Sequence, residues 1–173
     1  MSENKSSFIQ QTLTAGLLLG IVLVVYSLLM YFLDMSTNKY VGWISYAIIA
    51  VVIYYLQLQH RNKDLNGFMS YGQALGFAVM AMLFAAIISA IFSFIMVKFI
   101  DPGIVTKIMT MQEEAMAKRG MTPEQTEMAM KMTTKMMTPV MMSVFTLIGM
   151  MFWGTILSLI TSAITRKETN PVA

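Results

Sequence analysis

Hydrophobic and polar positions in this chain do not alternate; they fall into blocks. Four apolar runs, Thr12 to Leu33, Val41 to Leu56, Ala74 to Val97 and Val140 to Ile164, contain no Asp, Glu, Lys, Arg or His, and their strongest polar groups are hydroxyls. A helix rises ~1.5 Å per residue, so about 20 apolar residues cover a hydrocarbon core of ~30 Å. The pattern predicts an all-α integral membrane protein of one membrane domain over residues 1–173, with spans at about 12–33, 41–58, 72–97 and 140–164. The first run exceeds the ~7–15 residues of a cleavable signal's apolar core and no small-residue cleavage site follows it, so it is expected to persist as a helix.

The connections predict how the spans are arranged. Asp34 to Tyr40 reads as a short turn and Gln59 to Gly67 as a short polar loop carrying His60, Arg61, Lys63 and Asp64, which makes successive helices antiparallel neighbours. The expected fold is an up-down four-helix bundle. Between helices three and four lies a longer polar insertion, read as an amphipathic helical hairpin at about 101–138. Asp101 before Pro102 signals a start, Gly120 a stop, and Thr122-Pro123-Glu124-Gln125 a second start with a capping box. Glu114 with Lys118 and Glu127 with Lys131 are acid-first i,i+4 pairs. Antiparallel pairing about Gly120 would set Val105, Met109 and Met116 towards Met136, Met132 and Met128, as the hairpin's own core or against the bilayer.

Composition and charge refine this reading. The chain is 57% hydrophobic and 12% charged, well below the roughly 25% charged residues of a soluble domain. Its net charge of +3 comes from residues at helix ends and in connections, where they orient helices beside lipid headgroups, and no nucleic-acid partner is expected. Lys5, Arg61, Lys63, Arg166 and Lys167 share one face if the N-terminus is inside, which favours cytoplasmic N- and C-termini. Tyr31, Tyr40 and Trp43 would then mark one membrane surface and Tyr54, Tyr55 and Tyr71 the other, while Trp153, in mid-span, is expected to face a neighbouring helix. Gly16 with Gly20, Gly72 with Gly76, the stripe Ala81, Ala85, Ser89, Ser93, and Gly154 with Ser158 and Ser162 mark close helix approaches. The first pair serves either packing within the bundle or a homo-oligomer.

Candidate chemistry is sparse. Cysteine is absent, and His60 reads as a solvated loop residue beside Asp64, so no catalytic, cofactor-binding or metal-binding residue is assigned and no enzymatic activity is expected. Met128, Met132 and Met136 share a helical face that Met109 could approach, and thioethers suit Cu(I); the competing reading is flexible apolar packing or partner contact. Tyr26, Ser89, Ser93, Thr155 and Ser158 leave a small transporter or channel for a neutral solute as the alternative function, whereas charge-coupled transport lacks its residues.

The segment Asn66-Gly67-Phe68-Met69-Ser70-Tyr71-Gly72-Gln73-Ala74-Leu75-Gly76 resembles the start of the third helix in a bacterial membrane family known as domain of unknown function 4199. Asp101-Pro102, the Gly120 to Gln125 segment and a last span ending at Ile164-Thr165-Arg166-Lys167 suit the same layout. The resemblance implies a small four-helix protein of the bacterial inner membrane and carries over no site residue. The expected role is a non-enzymatic structural or partner-binding envelope component, touching the lipid bilayer through its spans and an envelope protein through the 101–138 hairpin.

Overall fold

The computed structural model describes residues 7–36 and 38–168. Among them the structure is helical: α1 (Phe8–Phe32), α2 (Lys39–Lys63), α3 (Tyr71–Ile95) with a π-helical turn at Met96–Ile100, α4 (Gly103–Lys118), α5 (Pro123–Met136) and α6 (Pro139–Thr165). The one β-type pairing described is an isolated antiparallel bridge between Met69 and Lys167. Four of the helices, Phe8–Phe32, Tyr40–Lys63, Tyr71–Ile100 and Pro139–Thr165, are long and apolar enough to cross a membrane. Lys5 of the charge argument lies outside the described residues.

Local chemistry explains the boundaries. Asn38 caps α2 by accepting from Tyr40 N–H at 3.0 Å. At α3, Ser70 and Gln73 exchange bonds, with the Gln73 carboxamide accepting from Ser70 N–H at 2.9 Å and Ser70 Oγ accepting from Gln73 N–H at 3.3 Å. That reciprocal cap sits directly after Asn66 and Gly67, which both take positive φ, so the chain reverses before the helix begins. Gly120, at φ 75°, ends α4 with Met121 N–H donating to Met116 C=O and Gly120 N–H to Ala117 C=O, a Schellman closure. Thr122 and Gln125 then form the expected capping box of α5.

Several expectations change. The first half of the loop expected at Gln59 to Gly67 is helical: α2 runs on to Lys63, because glutamines support a helix and His60, Arg61 and Lys63 complement the dipole of its last turn. Asp101 caps nothing; α4 begins after Pro102 and the Asp101 carboxylate lies 3.9 Å from Lys107. Glu127 and Lys131 pair at 2.7 Å, whereas Glu114 and Lys118 form no ion pair.

Contacts divide the described chain into two compact units, one of residues up to Ile88 and from Ile148 onward, the other of Ser89–Leu147. In the first unit, α1 meets α2 at both ends, through Tyr26 O–H donating to Val41 C=O at 3.0 Å and the Phe8 ring 6.3 Å from His60. Leu19, Ile53 and Met82 are fully buried in the shared core. Gly16 and Gly20 serve contact within the chain: a Cβ at Gly16 would lie 2.6 Å from Ala81 C=O and closer still to Phe84 Cβ, and one at Gly20 would lie 2.8 Å from Ile88 Cδ1. Gly154 similarly receives the Met82 side chain. Gly72 and Gly76, by contrast, face open space. Trp153 reaches Tyr46 with ring centroids 5.5 Å apart yet stays 45% exposed, with no hydrogen-bond acceptor among the described residues.

In the second unit, Ser93 and Thr146 share a hydroxyl bond of 3.2 Å, while α4 and α5 form the hairpin. Val105, Met109 and Met116 of α4 are half-buried, but the three α5 methionines expected opposite them, in the hairpin's core or against the bilayer, do not lie in its core. Met128, Met132 and Met136 are 72%, 68% and 47% exposed, while Thr126, Ala129, Met130, Thr133 and Met137 carry the half-buried face. Met130 and Met137 turn inward with the smaller Thr126, Ala129 and Thr133, and the stripe of Met128, Met132 and Met136 is left outside.

The packing makes a paired prediction. Gly16→Ala should lower stability in detergent-monitored unfolding by about 1–3 kcal/mol through overpacking, while Gly72→Ala should raise it by about 0.5–1 kcal/mol through helix propensity alone.

Candidate functional site

The polar groups of the first unit collect where α2 ends. Gln57, His60, Arg61 and Asp64 follow the i, i+3, i+4, i+7 spacing of one helical face, so the last two turns of α2 present a polar stripe to their neighbours. Gln57 is fully buried. Its Nε2 donates to Ala74 C=O on α3 at 3.1 Å and to Ser162 Oγ on α6 at 2.8 Å, while its Oε1 accepts from Thr165 Oγ1 at 3.3 Å. One side chain therefore joins three helices.

One turn on, Arg61 Nη1 donates to Thr165 C=O at 3.0 Å. That carbonyl is one of the unsatisfied acceptors at the end of α6, and a cation there also complements the helix dipole. The loop between α2 and α3 is fixed to the same end by the Met69 and Lys167 backbones, whose two N–H groups each donate at 2.8 Å, and by Lys167 Nζ 5.6 Å from the Phe68 ring.

His60 occupies a different setting from the solvated loop expected for it. It is 6% exposed, stacked on Phe77 with centroids 4.3 Å apart and planes 9° from parallel, and its Nδ1 lies 3.0 Å from Asp64 Oδ2. Either the Nδ1–H tautomer or the imidazolium makes that bond. Asp64 is 34% exposed, and its Oδ1 has no partner among the described residues. Lys63, the residue before it, is exposed and makes no ion pair among them. Two cavities share His60 and Asp64 as walls. One, of about 290 Å³, lies between α1 and α2; the other, of about 440 Å³, is bordered by Phe8, Gln73, Gly72 and Gly76, which explains why these glycines face open space.

Chemically, the two halves of the stripe differ. The Gln57 half is closed, its donors and acceptor engaged. The His60 and Asp64 half is open to cavities, and among the described residues no hydroxyl bonds to the ring, so the geometry is that of a binding wall rather than a nucleophile with its base. Neither the role of Gln57 nor the packed setting of His60 follows from the apolar pattern; the i, i+3, i+4, i+7 spacing is the signal for both. On the hairpin, Met128, Met132 and Met136 do share a face, but Met109 is half-buried on α4. The hydroxyls proposed for a solute path are engaged by nearby carbonyls: Thr155 with Met151, Ser158 with Gly154 and Tyr26 with Val41. Ser89 Oγ is buried without a partner among the described residues.

Gln57→Ala should lower stability by about 1–3 kcal/mol, since Ala74 and Ser162 lose their donor and Thr165 Oγ1 loses an acceptor. Unfolding in detergent measures this directly, and Gln59→Ala, which removes only a half-buried side chain bonded to Tyr55 within α2, serves as the milder comparison.

Nothing among curated proteins matches this chain, and nothing among solved structures does. A family does match, over residues 14–167, nearly the whole chain. The matched stretch takes in all four long apolar helices, the hairpin and the polar end of α2, and the chain belongs to the family described as "Protein of unknown function (DUF4199)".

Proposed function

We propose that this is an integral membrane protein of a bacterial inner membrane, crossing four times in an up-down bundle with both termini cytoplasmic, and acting without catalysis as a partner-binding component. Long rows of exposed apolar side chains support insertion: Leu17, Ile21, Val25 and Leu29 on α1, and Val144, Ile148 and Phe152 on α6. Faces of that kind are unsuited to water and suited to lipid. The Arg61 contact with Thr165 supports a shared side for the basic ends of α2 and α6, as the positive-inside rule requires. The bacterial location rests on the family resemblance.

The observation that carries the partner reading is the outward methionine stripe of α5, outside the spans. Burying a Met side chain is worth about 1.5–3 kcal/mol, so three left outside on one face provide a strong apolar docking surface. Thioether chains adapt to a partner's contour without a fixed rotamer. The partner is an envelope protein offering an apolar groove.

The absence of native cysteine makes the test clean. Ser36→Cys, Asn62→Cys and Met116→Cys variants are exposed in intact cells to a membrane-impermeant thiol reagent. Labelling at 36 and 116 but not at 62 is expected; the reverse pattern would invert the topology and move the hairpin to the cytosol. A photo-cross-linking residue at Met132 should then give a discrete protein adduct that the same residue at half-buried Met130 does not, and adducts to lipid alone would sink the partner reading.

A further inference from the structure

The cavity of about 290 Å³ between α1 and α2 has a direction. On α1 its wall changes from Gln10, Gln11 and Thr14 to Ala15 and Leu18. On α2, which runs the other way, it changes from Asp64, Lys63 and Gln59 to Leu56. Both helices thus place polar groups at the chain-end side and apolar groups towards mid-span. From Gln10 to Leu18 is about 12 Å at the rise of a helix, enough for a polar headgroup and the first carbons of a chain. Leu18 is itself exposed, so the apolar end of the groove opens sideways.

The polar end carries two opposite charges that do not satisfy each other. Lys63 forms no ion pair among the described residues and Asp64 leaves Oδ1 without a partner, although the two are consecutive. His60 holds Asp64 through its other oxygen and is itself held by the Phe77 stack, which makes it a positioning residue. From this juxtaposition we propose that the groove binds a membrane phospholipid with a zwitterionic, ammonium-bearing headgroup. The phosphate meets Lys63, the ammonium donates to Asp64 Oδ1, and the chain lies along Ala15, Leu18 and Leu56. A headgroup with phosphate alone satisfies only Lys63. A quaternary ammonium has no N–H to donate to Asp64.

This inference rests on the membrane reading, and the two fail separately. Extraction of the chain from membranes by alkaline carbonate would remove the membrane reading. Lipid choice is measured on full-length protein in detergent micelles doped with equal amounts of phosphatidylethanolamine, phosphatidylcholine and phosphatidylglycerol, by native mass spectrometry of retained lipid. Phosphatidylethanolamine should be retained about tenfold over either competitor, as loss of one charge-assisted bond implies. Asp64→Asn should bring its preference over phosphatidylcholine close to unity. If that variant does not fold, Lys63→Gln, at an exposed position, carries the test and should lower phosphatidylethanolamine retention about tenfold. Equal retention of the three lipids by the unmodified protein, an unchanged preference in folded Asp64→Asn, or unchanged phosphatidylethanolamine retention in Lys63→Gln, would mean ordinary surrounding lipid and would overturn the site. Displacement of the lipid by an equal concentration of soluble phosphoethanolamine would overturn the lipid as its occupant.

Discussion

The Gln57 carboxamide sets the geometry of the polar end, because it is fully buried and its bonds reach two other helices. A buried amide left without partners costs about 1–3 kcal/mol, so α3 must present a carbonyl and α6 two hydroxyls at fixed heights. Ala74, Ser162 and Thr165 meet that demand. Once Gln57 is fixed, helical geometry places Arg61 and His60 one turn on and Asp64 one turn beyond. Arg61 can then reach the last turn of α6, and His60 comes against Phe77. The backbone bridge between Met69 and Lys167 closes the same end from the loop side.

Elements that depend on local chemistry were legible in the sequence. The four long helices followed from uninterrupted apolar runs, and the Gly120 stop and Thr122–Gln125 start followed from backbone requirements that few residues meet. The reach of α2 is hidden by its polarity, although Gln57 to Lys63 contains neither Gly nor Pro to stop a helix. Polar residues at helical spacing are compatible with a helix wherever neighbouring helices supply their partners. Those partners lie about a hundred residues away, at Ser162 and Thr165, and no local pattern announces them.

Which glycine pairs pack and which do not was equally hidden. Gly16 and Gly20 lie against Ala81, Phe84 and Ile88, whereas Gly72 and Gly76 border a cavity, although both pairs share one spacing. The motif states that close approach is permitted; the partner's shape decides whether it occurs. On α5, likewise, amphipathicity was readable but its inward face was not. Apolar mass alone would bury Met128, Met132 and Met136, yet the half-buried face carries Thr126, Ala129, Met130, Thr133 and Met137. Met130 and Met137 are the methionines turned inward, and the register that selects them is not stated by the local pattern.

The polar stripe of α2 also separates what must be closed from what can stay open. Gln57 lies nearer mid-helix and farther from water, where an unmet amide bond is most costly, and all its bonds are made within the chain. Asp64 lies at the helix end, where a partly exposed carboxylate tolerates one open oxygen. His60 stands between these regimes: its ring is packed like a core residue, but its hydrogen bond reaches the open side. A rigid, well-packed holder beneath a half-satisfied carboxylate keeps that carboxylate in place without a ligand. The ordering cost is then met by the Phe77 stack and the Asp64 bond during folding, and a headgroup arriving at Asp64 and Lys63 meets a site already set.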